Sequence, residues 1–198
     1  MIVLSDNDII SKLARCDLLD ALPHHLGVAH AEIWVLSSSV YALRKRLKNA
    51  PEALASLEAF YARVTKIADA DVDTAALLEI SSTGIDAGEA ILAAKAITLD
   101  GALLVTGDKR AIKALSALPE GSVKTSLAGK VLCFEALVLQ MIARYGFHEI
   151  GPRCAKGRDG DGVLSMAFGP GRDEAHAVEC LSSYITTLQT NSGWILVA

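Results

Sequence analysis

The stretch Ile2-Val3-Leu4-Ser5-Asp6-Asn7-Asp8-Ile9-Ile10 constrains the fold more than any other in the chain. A short apolar strand runs straight into two carboxylates, and a helical pattern of Ile9, Ile10, Leu13 and Leu18 begins at once. A strand that passes directly into a helix predicts a βα unit. An acid at that junction stands on the carboxyl edge of the sheet, where open α/β sheets take their ligands.

The same grammar recurs. Ala31 to Ser37 reads as a second strand, after which Ser38 or Ser39 caps a helix containing Val40, Leu43 and Leu47. Leu103 to Thr106 reads as a third, with Gly107-Asp108 at its end and a helix from Lys109 to Leu118, closed by Pro119. Between them, residues 51–68 and the stretch from about Val72 to Ser81 carry helical patterns with no strand between, predicting a helical arm over about 51–83. The expected class is α/β, a short and mostly parallel sheet flanked by helices. The first helix is expected from about Ile9 to Leu22, stopping at Pro23, and a short strand at Ser122 to Thr125. A strongly apolar helix spans Lys130 to Tyr145.

Beyond Gly146 the character changes, which places a boundary between residues 1–146 and a C-terminal extension over 147–198. Five glycines and a proline between 157 and 171 surround Val163 to Phe168, predicting a strand or hairpin with loose flanks. Asp159 and Asp161 open like a calcium loop, but the later ligands of such a loop are missing. A last helix starts at Asp173 or Glu174 and runs to about Leu188. The apolar segment Trp194 to Val197 must then pack somewhere or pair with a partner, which leaves a homodimer or another protein partner open.

Composition sets limits on function. With 198 residues, 52% of them hydrophobic, the chain can bury one sizeable core. No apolar run approaches the roughly 18 to 20 residues that cross a bilayer, so no membrane partner is expected. The first residues lack the basic and apolar blocks of a signal peptide. The four scattered cysteines read as reduced thiols, and a cytoplasmic location follows. A net charge of −4 argues against a protein held on nucleic acid by bulk charge, but a local basic patch suffices for a brief contact. His24 and His25, adjacent in a loop, point different ways and make a poor ligand pair.

Three acidic signals fall where βα architecture gathers them: Asp6 after the first strand, Glu89 in a helix's first turn, and Asp108 after another strand. Singly, such acids read as helix starters: Asp8 and Asp108 fit ordinary N-caps, worth about 1 kcal/mol each. Asp86 and Glu89 together also fit the D-x-x-E form of a capping box. Brought to one edge, however, they repel one another unless a cation or raised pKa values relieve them. Oxygen ligands without histidine suit Mg²⁺ or Mn²⁺.

In order and spacing, the strand ending in Asp6, the Asp86-Ala87-Gly88-Glu89-Ala90 helix start and Thr106-Gly107-Asp108 resemble the acidic motifs of PIN-domain nucleases. The resemblance covers roughly residues 1–125. It implies a PIN-like fold and metal-dependent hydrolysis of single-stranded RNA, in the manner of toxin nucleases that pair with an antitoxin. By the same resemblance Asp6, Glu89 and Asp108 are the catalytic metal ligands, Asp86 is an added acid, and Asp8 and Thr106 are supporting residues. One departure is plain: the helix after the second strand reads Ser39-Val40-Tyr41-Ala42-Leu43-Arg44, where such nucleases usually carry another acid. Arg44 and Lys45, with Lys109, Arg110 and Lys113, are the expected phosphate contacts, or else plain exposed helix cations. Two rivals stand beside this reading. One is a degenerate PIN-like binding or scaffold protein. The other is a haloacid dehalogenase-like phosphatase, since Asp6-Asn7-Asp8 also looks like that family's opening motif.

Overall fold

The structure, a computed structural model, describes residues 1–68 and 72–197. Residues 69–71, within the expected helical arm, lie outside it. Along the chain the strands are β1 (Val3–Ser5), β2 (Ile33–Leu36), β3 (Thr65–Ile67), β4 (Leu103–Thr106) and β5 (Val131–Cys133). The helices before β4 are α1 (Asn7–Arg15), α2 (Ala21–Leu26), α3 (Ser39–Leu47), α4 (Pro51–Tyr61), α5 (Thr74–Ser81) and α6 (Ala87–Ile97). After it come α7 (Lys109–Ser116), α8 (Ser122–Leu127), α9 (Phe134–Tyr145), α10 (Phe147–Lys156), α11 (Gly162–Ala167) and α12 (Glu174–Ser192).

The strands form one parallel sheet in the order β3-β2-β1-β4-β5. From β1 the chain steps outward to β2 and β3, then returns to lay β4 on the other side of β1. The strand order therefore reverses between β1 and β4, which opens a crevice beyond their carboxyl ends. Both faces of the sheet are covered, as the continuous apolar strands require. Successive residues alternate between two cores: Val35, Val105 and Leu132 join one, while Leu36, Leu104, Val131 and Cys133 join the other. The first core takes in α1, α3, α4 and α9, and also Val163, Leu164, Ala177 and Leu181 of the C-terminal extension. The second is built on the alanines of α6 with Ile80, Ile112, Leu115 and Leu127. No helix among the described residues is long and apolar enough to cross a membrane.

Several elements differ from the sequence expectation, each for a local reason. The first helical stretch is two helices, because Asp17 turns left-handed at φ 56° after α1 ends. Pro23 lies inside α2 rather than stopping a helix, in the first turn where its missing N–H costs nothing. The arm is interrupted by β3, three residues whose pairing with β2 outweighs the helical run before them. Ser122 to Leu127 is a helix and not a strand, since Val123 and Leu127, four apart, bury together. The Lys130–Tyr145 stretch opens as β5, which passes into α9 with no turn residue to announce the change. Val163 to Ala167 is helical because Asp161 accepts the amides of Val163 and Leu164 at 2.9 Å each and nucleates α11. The segment Trp194–Val197 packs at home: Val131 N donates to Ile195 O at 3.0 Å and Val197 N to Val131 O at 2.8 Å, extending the sheet past β5.

Candidate active site

Each of the acids singled out in the sequence sits where a strand or loop turns into a helix. Asp6 follows β1 and, in place of the expected Asp8, caps α1, its Oδ1 accepting the Ile9 amide at 2.7 Å; Asp8 lies inside the first turn. Asp86 caps α6 by accepting the Gly88 amide at 3.0 Å. Asp108 follows β4 and caps α7 through the Arg110 amide at 2.7 Å. The capping roles and the site coexist, because each capping bond uses one carboxylate oxygen and the other takes a different partner: the Thr106 hydroxyl on Asp6 and the Arg110 guanidinium on Asp108.

What joins them is Thr106, the last residue of β4. Its buried hydroxyl donates to Asp6 Oδ2 and accepts the Asp108 amide at 3.0 Å, bridging the ends of the two strands that flank the reversal. A cavity of about 270 Å³ opens directly above, lined by Asp6, Asp8, Asp86, Glu89 and Asp108 together with Asn7, Ser39, Arg46 and Arg110. The expected acids therefore do share one place. Thr106 lies beneath them.

Electrostatics separate their roles. Burial pushes the Asp6 carboxyl up to about 6, against the pull of the Ile9 amide and Thr106 hydroxyl toward the ionised form. Burial, and then the charges of Asp6, Asp108 and Asp86, push Glu89 up to about 8. Below that pH Glu89 holds a proton that keeps the cluster from accumulating charge. Burial also opposes ionisation of Asp108, but the Arg110 guanidinium at 2.9 Å outweighs it and holds that carboxyl below its ordinary value.

Among the described residues no three of these side chains already meet at ion-gripping distance. The protein's own donors hold them apart. Arg110 draws Asp108 outward, Thr106 and Ile9 occupy Asp6, and Asp8 is taken by Lys12 at 2.8 Å and Arg46 at 3.3 Å. The donor set nonetheless suits a hard divalent cation: all oxygen, carboxylate-rich and crowded enough to raise Glu89. Asn7 Oδ1 is buried at the same cavity without a hydrogen-bond partner, one more oxygen for such an ion.

The expected phosphate contacts divide. Arg110 stands at the cavity mouth with its side chain 93% exposed. Lys109 turns away, paired with the buried Glu135 at 3.1 Å and lying over the Tyr184 ring at 3.8 Å. Arg44 is held by Glu58 on α4 at 2.6 and 2.8 Å, off the cavity. Lys45 and Lys113 are exposed and do not line it. Arg46, one of the cations the sequence clusters with Arg44 and Lys45 as a candidate phosphate patch, lies seven residues, two helical turns, from Ser39, and both line the cavity. Two contributors escaped the sequence reading. Lys12 pairs with Asp8 at i,i+4 spacing, a signal available from sequence alone. Gly107 allows its carbonyl to reach Lys12 Nζ at 3.0 Å, where a Cβ would collide with the Asp8 carboxylate. A larger hollow, about 480 Å³, lies elsewhere, and its acids Asp17 and Glu52 are matched by Arg15 and Lys156 with no convergence.

No family model, curated protein or solved structure matches the chain. The site must be read from its own chemistry.

Proposed function

We propose that the protein is a metal-dependent phosphodiesterase of PIN-like type that hydrolyses single-stranded RNA. The observation that carries this reading is the meeting of Asp6, Glu89 and Asp108 in one cavity above Thr106, at the point where the order of a parallel sheet reverses. Asp6, Glu89 and Asp108 would hold Mg²⁺ or Mn²⁺, with Asp86 beside them. Such a cation would acidify water and offset the charge that builds on a phosphate. Asp6 brings a carboxylate already oriented by Ile9 and Thr106. Glu89, protonated below about pH 8 without a cation, would be the ligand whose ionised form the added positive charge favours. Arg110 and Arg46, at the mouth and wall of the cavity, are placed to take phosphate oxygens in bidentate fashion.

Asp108→Asn tests the reading, because asparagine keeps the α7 cap while removing the charge. It should abolish manganese-dependent cleavage of a single-stranded RNA and leave the thermal melt unchanged. Full activity in that variant would remove Asp108 from the site.

One observation favours a second reading, a degenerate scaffold that binds without cleaving. Where α3 would carry another acid, Ser39 and Arg46 face the cavity instead. Calorimetric titration separates the two: no Mn²⁺ binding at millimolar concentration supports the scaffold. The aspartyl-phosphatase reading fares worse, because Asp6 is buried with both oxygens committed and is poorly placed to attack a phosphate.

A further inference from the structure

α3 has three faces. Leu43 and Leu47 are buried in the first core, Ser39 and Arg46 line the acid cavity, and Arg44 on the far flank is held by Glu58. What is left is a stripe of Tyr41, Lys45 and Lys48, at i, i+4 and i+7, all exposed. Tyr41 shows 74% of its surface to solvent, more than any other large hydrophobic side chain among the described residues. A single exposed aromatic residue is ordinary on a protein surface. This one is flanked by cations on a helix that carries no acid at all, in a protein of net charge −4. The helix thus offers the one combination that unpaired nucleotides need: a free ring for a base, ammonium groups for the backbone, and continuity through Arg46 with the acid cavity.

We propose that the outer face of α3 binds single-stranded RNA leading into the cavity, with Tyr41 stacking on a base and Lys45 and Lys48 contacting phosphates. The proposal rests on the nuclease reading for its choice of polymer. It adds the reason for strand preference. A ring can stack only on a base that is not already stacked in a duplex, whereas lysines attract either form. A protein partner is the rival occupant, but an interface core is depleted of lysine, and here two of the three stripe residues are lysines.

The test is binding by fluorescence anisotropy, with a short labelled RNA oligomer and a duplex of equal length, in EDTA so that nothing is cleaved. Tyr41→Ala should weaken single-strand binding roughly tenfold, within what one base stack contributes. Tyr41→Trp should restore it, and duplex affinity should be unchanged by either. Lys45→Gln and Lys48→Gln should weaken both forms and lower the salt dependence by about one counterion each. Equal binding of single strands by Tyr41→Ala and wild type overturns the proposal. So does equal loss on the duplex, no RNA binding by the wild type, or a self-association of the wild type that Tyr41→Ala abolishes. The two readings fail separately. Wild type that binds through Tyr41 but cleaves nothing with Mn²⁺ keeps the ridge and loses the nuclease. Cleavage indifferent to Tyr41 does the reverse.

Discussion

The Asp161 carboxylate and the Lys12 ammonium stand 2.9 Å apart, both largely buried, although they lie near opposite ends of the chain. Lys12 also holds Asp8 at 2.8 Å and the Gly107 carbonyl at 3.0 Å. One side chain therefore joins α1, the turn after β4 and the start of α11. The extension beyond residue 146 braces the acid cavity from behind.

Asp161 has two jobs there, and two substitutions separate them. Asp161→Asn keeps the cap on Val163 and Leu164 but discards the charge facing Lys12; it should cost about 1–3 kcal/mol. Asp161→Ala discards the cap as well and should cost about 1 kcal/mol more. Urea denaturation measures both. Identical midpoints for the two variants would show that the cap contributes nothing.

Glu89 and Asp6 set a pH dependence of stability in the metal-free protein. Their folded values, about 8 and about 6, lie above the ordinary 4.5 and 3.8, so the folded state binds these protons more tightly than the unfolded state. Stability is then fullest below about pH 4 to 5 on their account, and declines as pH rises toward 8. Asp108 and Asp161, held low, act in the opposite sense below their ordinary 3.8, and burial, which holds the His25 imidazole below its ordinary 6.5, offsets part of the decline near neutrality. The melting temperature in EDTA should fall between pH 5 and pH 8, approximate bounds set by this linkage, and Glu89→Gln should flatten the slope. A melting temperature that rises across that window would contradict the assignment.

Thr106→Val keeps the shape of the residue and removes the hydroxyl that links Asp6 to the Asp108 amide. Both partners are left short of a bond in a buried place, which should cost about 1–3 kcal/mol. Thr106→Ser should recover most of it. A valine variant as stable as wild type would mean that the hydroxyl bridge contributes nothing to stability.

Arg110 and Arg46 compete with any cation for Asp108 and Asp8. Replacing either with glutamine should tighten Mn²⁺ binding about two- to fivefold, the size of an exposed ion pair, as read by calorimetry. Weaker binding in both variants would instead make the arginines organisers of the acids.

The sequence carried the centre of this fold better than its margins. β1 and β4 were legible because each apolar run ends at an acid that starts a helix, and Asp86 and Asp108 announced themselves as caps, while the cap read at Asp8 falls to Asp6 two residues earlier. β3 and β5 were hidden. Thr65–Ile67 is too short to show a period, and Val131–Cys133 runs into α9 with apolar residues on both sides. The extension misled for another reason: the glycines around Val163 resemble hairpin flanks, and only the cap by Asp161 tips the segment into a helix.

The site divides in the same way. Acids at element junctions can be read one by one, and so could the i,i+4 pair of Asp8 and Lys12. The direction in which a surface cation points cannot. Lys109 and Arg110 are neighbours in sequence, yet one turns to Glu135 and Tyr184 and the other to the cavity, a choice made where α12 packs against both α7 and α9.

Thr106 reaches Asp6 from 100 residues further along the chain. During translation, then, β1 can pair early with β2, but the ribosome must release β4 before the first strand gains its second neighbour. A truncated product lacking β4 would keep Asp6 but have neither the Thr106 hydroxyl that fixes it nor Asp108 beside it.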